Sequence, residues 1–406
     1  MKEYEFKVVS CGGITSARGF KASGVSAGVK YIGKKDVAVV YSQCDASVAG
    51  VFTTNTVKAY PVLLNMERVK SGKARAVVVN SGNANACNGP RGMDDARAMT
   101  AETARLLGVA GESVLVCSTG VIGQPMPMDR VIPGIGEAVG ALSESGGRDA
   151  AEAIMTTDTE LKEYAVSFDL DGRTVTVGGM AKGSGMIHPN MATLLCFVTT
   201  DAAVDPGVLK DCLTYAADRS FNMVSVDGDS STNDTLLALA NGMAGGSEIK
   251  AGGKGCELFR DALTEVCVFL ARAMARDGEG ATKLIEVRVV NAPTGQDARL
   301  AARSVASSTL FKAAVFGRDA NWGRIICAAG YSGAQFNPDA VDIFLGHVQV
   351  ARGGQGLPFD EEAAAAVLAG DTVNVLIDLK EGKAEAVAWG CDLTYEYVRI
   401  NGDYRT

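Results

Sequence analysis

Hydrophobic positions follow two different periods along the chain, and their alternation predicts a mixed α/β protein. Runs of β-branched residues at 37–41 and 76–79 indicate buried strands. Residues 94–107 instead place apolar side chains at helical spacing, and the two acids that open this segment favour a helix N-terminus. Residues 164–170 and 173–177 indicate the two strands of a hairpin, which turns at the two residues between them.

The rest of the chain continues this pattern without an internal sequence repeat. Further helices are predicted at 149–155, 206–217, 256–275 and 304–316, and further strands at 113–117, 283–290, 341–345 and 373–379.

Composition narrows the class of protein. With 406 residues the chain is longer than one compact core usually holds, which favours two domains. The 39 Lys and Arg residues against 47 Asp and Glu residues give a net charge of −8 without long runs of either sign, so nucleic acid and membranes are not expected partners. No apolar stretch approaches the ~20 residues of a membrane span, and we expect a cytoplasmic protein.

Metal and thiol chemistry is restricted. Only two histidines occur, His188 and His347, which excludes a His-rich metal cluster. Residues 227–234 begin like a calcium loop, but Ala238 stands where the bidentate Glu belongs, which indicates a structural or cleavage-supporting loop. The ten cysteines contain no CxxC pair and often lie in apolar runs, so we expect reduced, buried thiols.

The densest chemical signal is the glycine-rich segment 178–198. It lacks the Lys-Ser/Thr pair of a phosphate loop after Gly183, and no helix opens in register for dinucleotide binding. Ser184 does not form a nucleophile elbow, because Lys182 and Met186 occupy the positions that the elbow needs as glycines. These three chemistries are therefore excluded.

Thr193 in the same segment allows a different chemistry. It follows a small residue and opens an apolar run, as expected if a cut before it makes the threonine a new N-terminus. A free α-amino group has a pKa of about 7.7–8.0, so it can take the proton from the hydroxyl of its own residue. Taken alone, the segment favours a threonine that simply starts a core strand, and His188 is typical of a loop histidine with satisfied hydrogen bonds.

The motifs resemble those of the ornithine acetyltransferase (glutamate N-acetyltransferase) family of arginine biosynthesis. Residues 182–197 resemble the autocleavage and nucleophile segment of that family. Six more segments match in order over nearly the whole chain: 80–86, 118–123, 155–159, 277–283, 317–324 and 404–406.

The resemblance implies scission between Ala192 and Thr193, which yields an N-terminal chain 1–192 and a C-terminal chain 193–406. The two chains are expected to stay associated, as a heterotetramer with two copies of each. The implied fold has mixed sheets layered with helices in an αββα-type sandwich, with two structural domains. Thr193 is the implied nucleophile, and the Thr119 hydroxyl and the Gly120 N–H are the implied oxyanion donors.

The implied reaction passes an acetyl group from N2-acetylornithine to L-glutamate through an acyl-threonine, with no cofactor and no metal. Lys182 is expected to bind the substrate α-carboxylate, and Glu279 the side-chain ammonium of ornithine. The resemblance implies further substrate contacts at Thr156, Thr193, Asn401 and Thr406.

Three alternatives stay open at this stage. Acetyl-CoA is a second candidate acetyl donor. A related N-terminal-threonine acyltransferase or amidohydrolase would pass the acyl group to water or to another amine. A non-catalytic metabolite or nucleotide binder built on the glycine loops would not be cut at all.

Overall fold

The computed structural model of the chain describes residues 6–188 and 194–403. The eleven α-helices of these two ranges are α1 (Tyr60–Arg68), α2 (Pro90–Leu107), α3 (Met128–Gly140), α4 (Gly147–Ala153), α5 (Pro206–Ala217), α6 (Lys254–Arg276), α7 (Gly295–Ser307), α8 (Thr309–Phe316), α9 (Trp322–Gly330), α10 (Glu361–Ala369) and α11 (Tyr395–Asp403). Single turns of 3-10 helix lie at Val69–Ser71, Gly111–Ser113, Phe221–Met223 and Pro338–Ala340.

The sixteen strands of the described ranges are β1 (Lys7–Val8), β2 (Phe20–Val25), β3 (Val37–Phe52), β4 (Lys73–Asn83), β5 (Val114–Val121), β6 (Lys162–Leu170), β7 (Arg173–Lys182), β8 (Leu195–Thr200), β9 (Val224–Ser225), β10 (Thr235–Ala240), β11 (Leu284–Ala292), β12 (Asp342–Leu345), β13 (Val348–Arg352), β14 (Gln355–Gly356), β15 (Thr372–Asp378) and β16 (Ala384–Cys391).

The larger sheet holds nine of the described strands. Their order is β1-β6-β7-β8-β10-β3-β4-β5, and β2 also pairs with β3. β7 runs antiparallel to β8, and β8 runs parallel to β10, so Lys182 pairs with Leu195 and Leu195 pairs with Thr235. The end of β7 and the starts of β8 and β10 therefore lie side by side.

Both faces of this sheet are buried, because successive side chains of a strand point to opposite faces. Along β3, Val37 and Val39 belong to a core that includes α2 and α3. Ala38 and Val40 belong to a second core, which includes α4.

The smaller sheet has the order β14-β13-β12-β15-β11-β16-β9 within the described part of the chain. Helix α7 packs on its strands β11 and β16. One large core joins the two sheets, since it contains Val177 of β7, Leu263 and Leu270 of α6, and Val287 of β11. The predicted mixed α/β class is therefore confirmed, with two sheets that share a core around α6.

Several predicted elements are confirmed closely, and one is wrong. Helix α5 has the predicted bounds, and β6 and β7 form the predicted hairpin. The predicted helix 304–316 spans the last turn of α7 and the whole of α8. The two helices are separate because Ser308 is extended and its side chain accepts a hydrogen bond from the Phe311 N–H as an N-cap. Helices α1, α3, α9, α10 and α11 were not predicted.

The cysteines follow the expectation in part. All ten are free thiols, and five of them are buried. Cys11, Cys87 and Cys327 are exposed, so the expectation of burial is wrong for these three. Among the described residues, none of the helices combines the length and the apolar character that a membrane crossing requires.

Candidate active site

A single cleft brings together six of the residues singled out in the sequence. Its lining includes Thr119, Gly120, Thr156, Lys182, Glu279 and Asn401. The first four precede the expected cleavage point and the last two follow it, so both halves of the chain contribute to the cleft. Ala192, Thr193 and Thr406 lie outside the described residues.

Thr119 and Gly120 lie near the end of β5, where β5 pairs irregularly with β4. Gly120 has a φ of +131°, a conformation that residues with a side chain rarely adopt. A Cβ atom on Gly120 would lie 2.3 Å from the carbonyl carbon of Gly82 and 2.6 Å from the Asn83 nitrogen. Only glycine fits at this position of the cleft wall.

The loop that follows β7 begins at an anchored residue. The Gly183 N–H donates to Asp158 Oδ1 at 2.6 Å. The carbonyl of Ser184 accepts from the Glu279 N–H at 3.0 Å, and its hydroxyl donates to the Asp277 carbonyl at 2.6 Å. Ser184 is thereby tied to the segment that carries Glu279, and Gly183 is tied to Asp158.

Asp227 anchors the same loop further along. Its carboxylate accepts the N–H groups of Met186 at 2.5 Å and of Ile187 at 2.8 Å. Burial raises the pKa of this carboxyl, and the backbone N–H groups oppose the rise. The polar segment 227–234 therefore supports the loop structurally, as predicted, and the described residues contain no cluster of three or more metal-ligating side chains.

Lys182 lies among buried charges at the end of β7. Only 3% of it is exposed, and its Nζ is 4.0 Å from Asp158 Oδ2. Asp158 Oδ1 accepts a hydrogen bond from Lys162 Nζ at 2.8 Å, and Lys162 Nζ also lies 2.5 Å from Asp277 Oδ2. Asp158 thus lies between the two buried lysines, Asp277 pairs with Lys162, and the ammonium of Lys182 faces the cleft with the looser contact.

Burial and charge act in opposite directions on this group. Burial alone would raise the pKa of the Asp158 carboxyl, but Lys182 and Lys162 hold it below its usual value. Burial lowers the pKa of the Lys182 ammonium, and the charge of Asp158 opposes this. Asp158 is therefore an anion that favours the cationic form of Lys182.

Glu279 and Asn401 form one side of the cleft. Asn401 Nδ2 donates to Glu279 Oε2 at 2.8 Å. A Cβ atom on Gly185 would lie 2.4 Å from the carboxyl carbon of Glu279, so the glycine at 185 allows this carboxylate to approach the loop.

Thr156 is held by its backbone. Its N–H donates to Asp158 Oδ2 at 3.0 Å, and its carbonyl accepts from Lys34 Nζ at 2.8 Å. Asp158 therefore connects the segment of Thr156 to the loop that begins at Gly183.

Further acidic and aromatic groups complete the wall. Asp227, Asp229 and Tyr397 line the cleft together with Glu279. Burial raises the pKa of the Tyr397 hydroxyl, and the nearby Asp227 and Glu279 raise it further. The cleft therefore has carboxylates on one side and the Lys182 ammonium on another.

Asp234, the residue before β10, is a buried carboxylate beside the start of β8. Asp234 Oδ1 accepts the Leu194 N–H at 3.1 Å, while its Oδ2 accepts no hydrogen bond from the described residues. Burial raises the pKa of Asp234 well above its ordinary value, although the Leu194 N–H and Lys182 oppose this. Leu194 is the first described residue after the expected cleavage point.

His188 is half-buried at the other edge of the undescribed residues. Its Nδ1 lies 3.3 Å from Ser225 Oγ, which is consistent with the predicted loop histidine. Burial lowers its pKa, and Arg303 lowers it further.

Sequence reasoning did not identify Asp158, Lys162 or Asp277 as part of this site. Their signal is the burial of opposite charges from different strands and loops, and sequence spacing does not reveal it. Lys162 pairs with Ala181 across β6 and β7, which brings it beside Lys182.

Known proteins are similar to this chain over nearly its whole length. The model of the ArgJ family matches residues 21–406. The arginine biosynthesis bifunctional protein ArgJ of Symbiobacterium thermophilum is 58% identical over 397 residues, which are 97% of this chain and 99% of that protein. The protein of the same name from Caldanaerobacter subterraneus is 54% identical over 399 residues, again 97% of this chain and 99% of the relative. The crystal structure of the arginine biosynthesis bifunctional protein ArgJ from Bacillus halodurans matches at a TM-score of 0.50 and 45% identity, covering 51% of this chain and 98% of that chain. The present chain therefore belongs to the ArgJ family.

Proposed function

We propose that this chain is a self-cleaving glutamate N-acetyltransferase, which moves an acetyl group from N2-acetylornithine to L-glutamate. Its family assigns it to arginine biosynthesis as an acyltransferase. The observation that carries the proposal is the cleft, in which residues from both sides of the bond before Thr193 meet around one buried cation.

Self-cleavage between Ala192 and Thr193 separates residues 1–192 from residues 193–406. The Bacillus halodurans chain supports this, because 98% of its length corresponds to only 51% of the present chain. The anchored loop before residue 188 and the hydrogen-bonded Leu194 N–H supply fixed ends on both sides of the bond that is cut.

The first half-reaction forms an acyl-threonine. The α-amino group of Thr193 takes the proton from its own hydroxyl, and the Oγ attacks the acetyl carbonyl of N2-acetylornithine. The tetrahedral intermediate carries an oxyanion, to which the Thr119 hydroxyl and the Gly120 N–H donate. When the intermediate collapses, the C–N bond breaks and the proton passes to the leaving α-amine of ornithine.

The second half-reaction reverses these steps with glutamate. Its neutral α-amine attacks the ester carbonyl, the C–O bond to Thr193 breaks, and the proton lost from the amine returns to the threonine oxygen. N-acetylglutamate leaves, and the enzyme is restored without a cofactor.

The charges of the cleft support these substrates. N2-acetylornithine carries an α-carboxylate and a side-chain ammonium, and the cleft has one buried lysine and several carboxylates. Lys182 binds the α-carboxylate, and Glu279, held by Asn401, binds the ammonium. Thr156 and Thr406 supply further contacts.

Assembly, location and the second donor are part of the same proposal. Two copies of each fragment form a heterotetramer in the cytoplasm. Acetyl-CoA serves as an additional acetyl donor to the same threonine, which would make the chain bifunctional like its named relatives.

Denaturing electrophoresis tests the cleavage. Wild-type protein is expected to give two bands of nearly equal size, whereas Thr193→Ala gives one intact, inactive chain. Thr193→Ser retains a hydroxyl and should still be cut. Thr214→Ala changes an exposed threonine of α5 and serves as the control for a wild-type pattern. Two bands from Thr193→Ala would show that the nucleophile is wrong.

A product assay tests the transfer. Purified enzyme with N2-acetylornithine and glutamate should release ornithine and N-acetylglutamate in equal amounts. Free acetate without N-acetylglutamate would instead identify a hydrolase, and an intact, inactive chain would identify a binding protein. Replacing N2-acetylornithine with acetyl-CoA in the same assay tests the second donor.

A further inference from the structure

We propose that Asp158 is a positioning residue, which holds the Lys182 ammonium at the cleft wall for the α-carboxylate of the substrate. This inference rests on the proposed function, in which Lys182 binds that carboxylate. Asp158 itself does not line the cleft and acts through its neighbours.

The carboxylate of Asp158 joins the parts that surround Lys182. Its Oδ1 accepts the Gly183 N–H at 2.6 Å, one residue beyond Lys182, and its Oδ2 accepts the Thr156 N–H at 3.0 Å. Its side chain has no exposed surface. One buried side chain therefore sets the distance between two segments of the cleft wall.

Asp158 also supplies the negative charge that keeps the Lys182 ammonium protonated. Lys162 already has Asp277 at 2.5 Å, so Asp158 is the carboxylate that the two lysines share. The charged groups that act on the Lys182 ammonium are Asp158, Lys162, Glu279 and Asp234. Without Asp158, Lys182 would lose the strongest attraction that acts on it, while burial and the charge of Lys162 would still favour its neutral form.

The contact between Lys182 and Asp158 is also loose enough to leave a place for substrate. At 4.0 Å the two groups attract each other without a hydrogen bond. The ammonium therefore keeps hydrogen-bond donors for a carboxylate that enters the cleft.

A pair of substrates isolates this role. N2-acetylornithine and its α-carboxamide differ only at the group that Lys182 is proposed to bind, which is an anion in the first and a neutral amide of similar size in the second. The kcat/KM for N2-acetylornithine divided by that for the carboxamide therefore measures the contribution of the Lys182 contact. Effects on cleavage or on the nucleophile change both values alike and cancel in this ratio.

The ratio is expected to fall about 10- to 100-fold in Asp158→Asn, the range for loss of a charged hydrogen bond. Lys182→Met should give a similar fall. Asp201→Asn is the matched control, since Asp201 is also buried and accepts a backbone N–H, that of Thr176 at 2.8 Å, on β7. An unchanged ratio in Asp158→Asn, or an equal fall in Asp201→Asn, would overturn the proposal.

Wild-type enzyme provides a second measurement that does not depend on the folding of a variant. If Asp158 keeps Lys182 charged, the ratio stays constant between about pH 6.5 and about pH 8.5, and a decline as pH rises would refute this. Absence of transfer in the wild type would contradict the proposed function separately. Calorimetry gives the dissociation constants of the two compounds for wild type and variants. The preference for N2-acetylornithine over its carboxamide should fall in Asp158→Asn and not in Asp201→Asn, and an unchanged preference in Asp158→Asn would overturn the proposal.

Discussion

Gly120→Ala is expected to slow acetyl transfer about 100-fold while the protein still folds, because the new Cβ displaces a proposed oxyanion donor. The Cβ would lie 2.3 Å from the carbonyl carbon of Gly82, whereas ordinary contacts begin at 3.4 Å. The ends of β4 and β5 must therefore separate by about 1 Å, and a displacement of that size typically costs about two orders of magnitude in rate.

Gly123→Ala is the matched control for the backbone strain. Gly123 also has a positive φ, of +76°, but a Cβ there meets nothing within 4 Å. Both variants should therefore lose about 1–2 kcal/mol of unfolding free energy from the disfavoured conformation. Only Gly120→Ala adds the collision with the neighbouring strand.

The assay compares kcat, KM and thermal unfolding for the two variants and the wild type. We expect Gly123→Ala to keep a kcat close to wild type, and Gly120→Ala to lose kcat with little change in KM. A Gly120→Ala enzyme with near wild-type kcat would refute the oxyanion role of the Gly120 N–H. An equal loss of kcat in Gly120→Ala and Gly123→Ala would refute it as well.

Three further perturbations test other parts of the cleft. Glu279→Gln should raise KM for N2-acetylornithine about tenfold with a smaller effect on KM for glutamate, and steady-state kinetics with equal changes in both constants would contradict the ammonium site. A peptide tag added after Thr406 should lower kcat/KM relative to the same tag before Met1, and equal rates would argue against a terminus in the site. Because the folded-state pKa of Asp158 lies below its unfolded value of 3.8, its stabilisation is present above that pH and is lost as pH falls. The deficit of Asp158→Asn in urea unfolding, about 3 kcal/mol at neutral pH, should therefore shrink below about pH 4, and a deficit independent of pH would contradict the ion pair.

Elements with local causes could be predicted from the sequence. The β6–β7 hairpin turns at Asp171 and Gly172, both with positive φ, which these residue types tolerate best. The break at Ser308 was missed because no Gly or Pro marks it, and its only sequence signal is the short polar run 307–309 from which Ser308 caps α8.

The residues of the cleft also differ in whether the sequence could predict them. The resemblance of motifs predicted Lys182 and Glu279, and the cleft contains both. The role of Asp158 depends on strand register and burial, which arise only when β6, β7 and Asp277, the residue that follows α6, meet in three dimensions. The roles of Thr193 and Thr406 stay predictions, to be tested by the variants above.

The strand order of the larger sheet determines whether the two proposed fragments could exchange between molecules after cleavage. β8 and β10 lie between β7 and β3 in the larger sheet, so two strands that follow Thr193 are inserted between strands that precede it. A cut molecule can exchange its halves only by opening two ladders of backbone hydrogen bonds, β7–β8 and β10–β3. Under the proposed cleavage, folding therefore has to finish while the chain is still continuous, and the cut makes unfolding effectively irreversible. After denaturation and dilution, cut protein should consequently recover a far smaller fraction of its native secondary structure than the uncut precursor does.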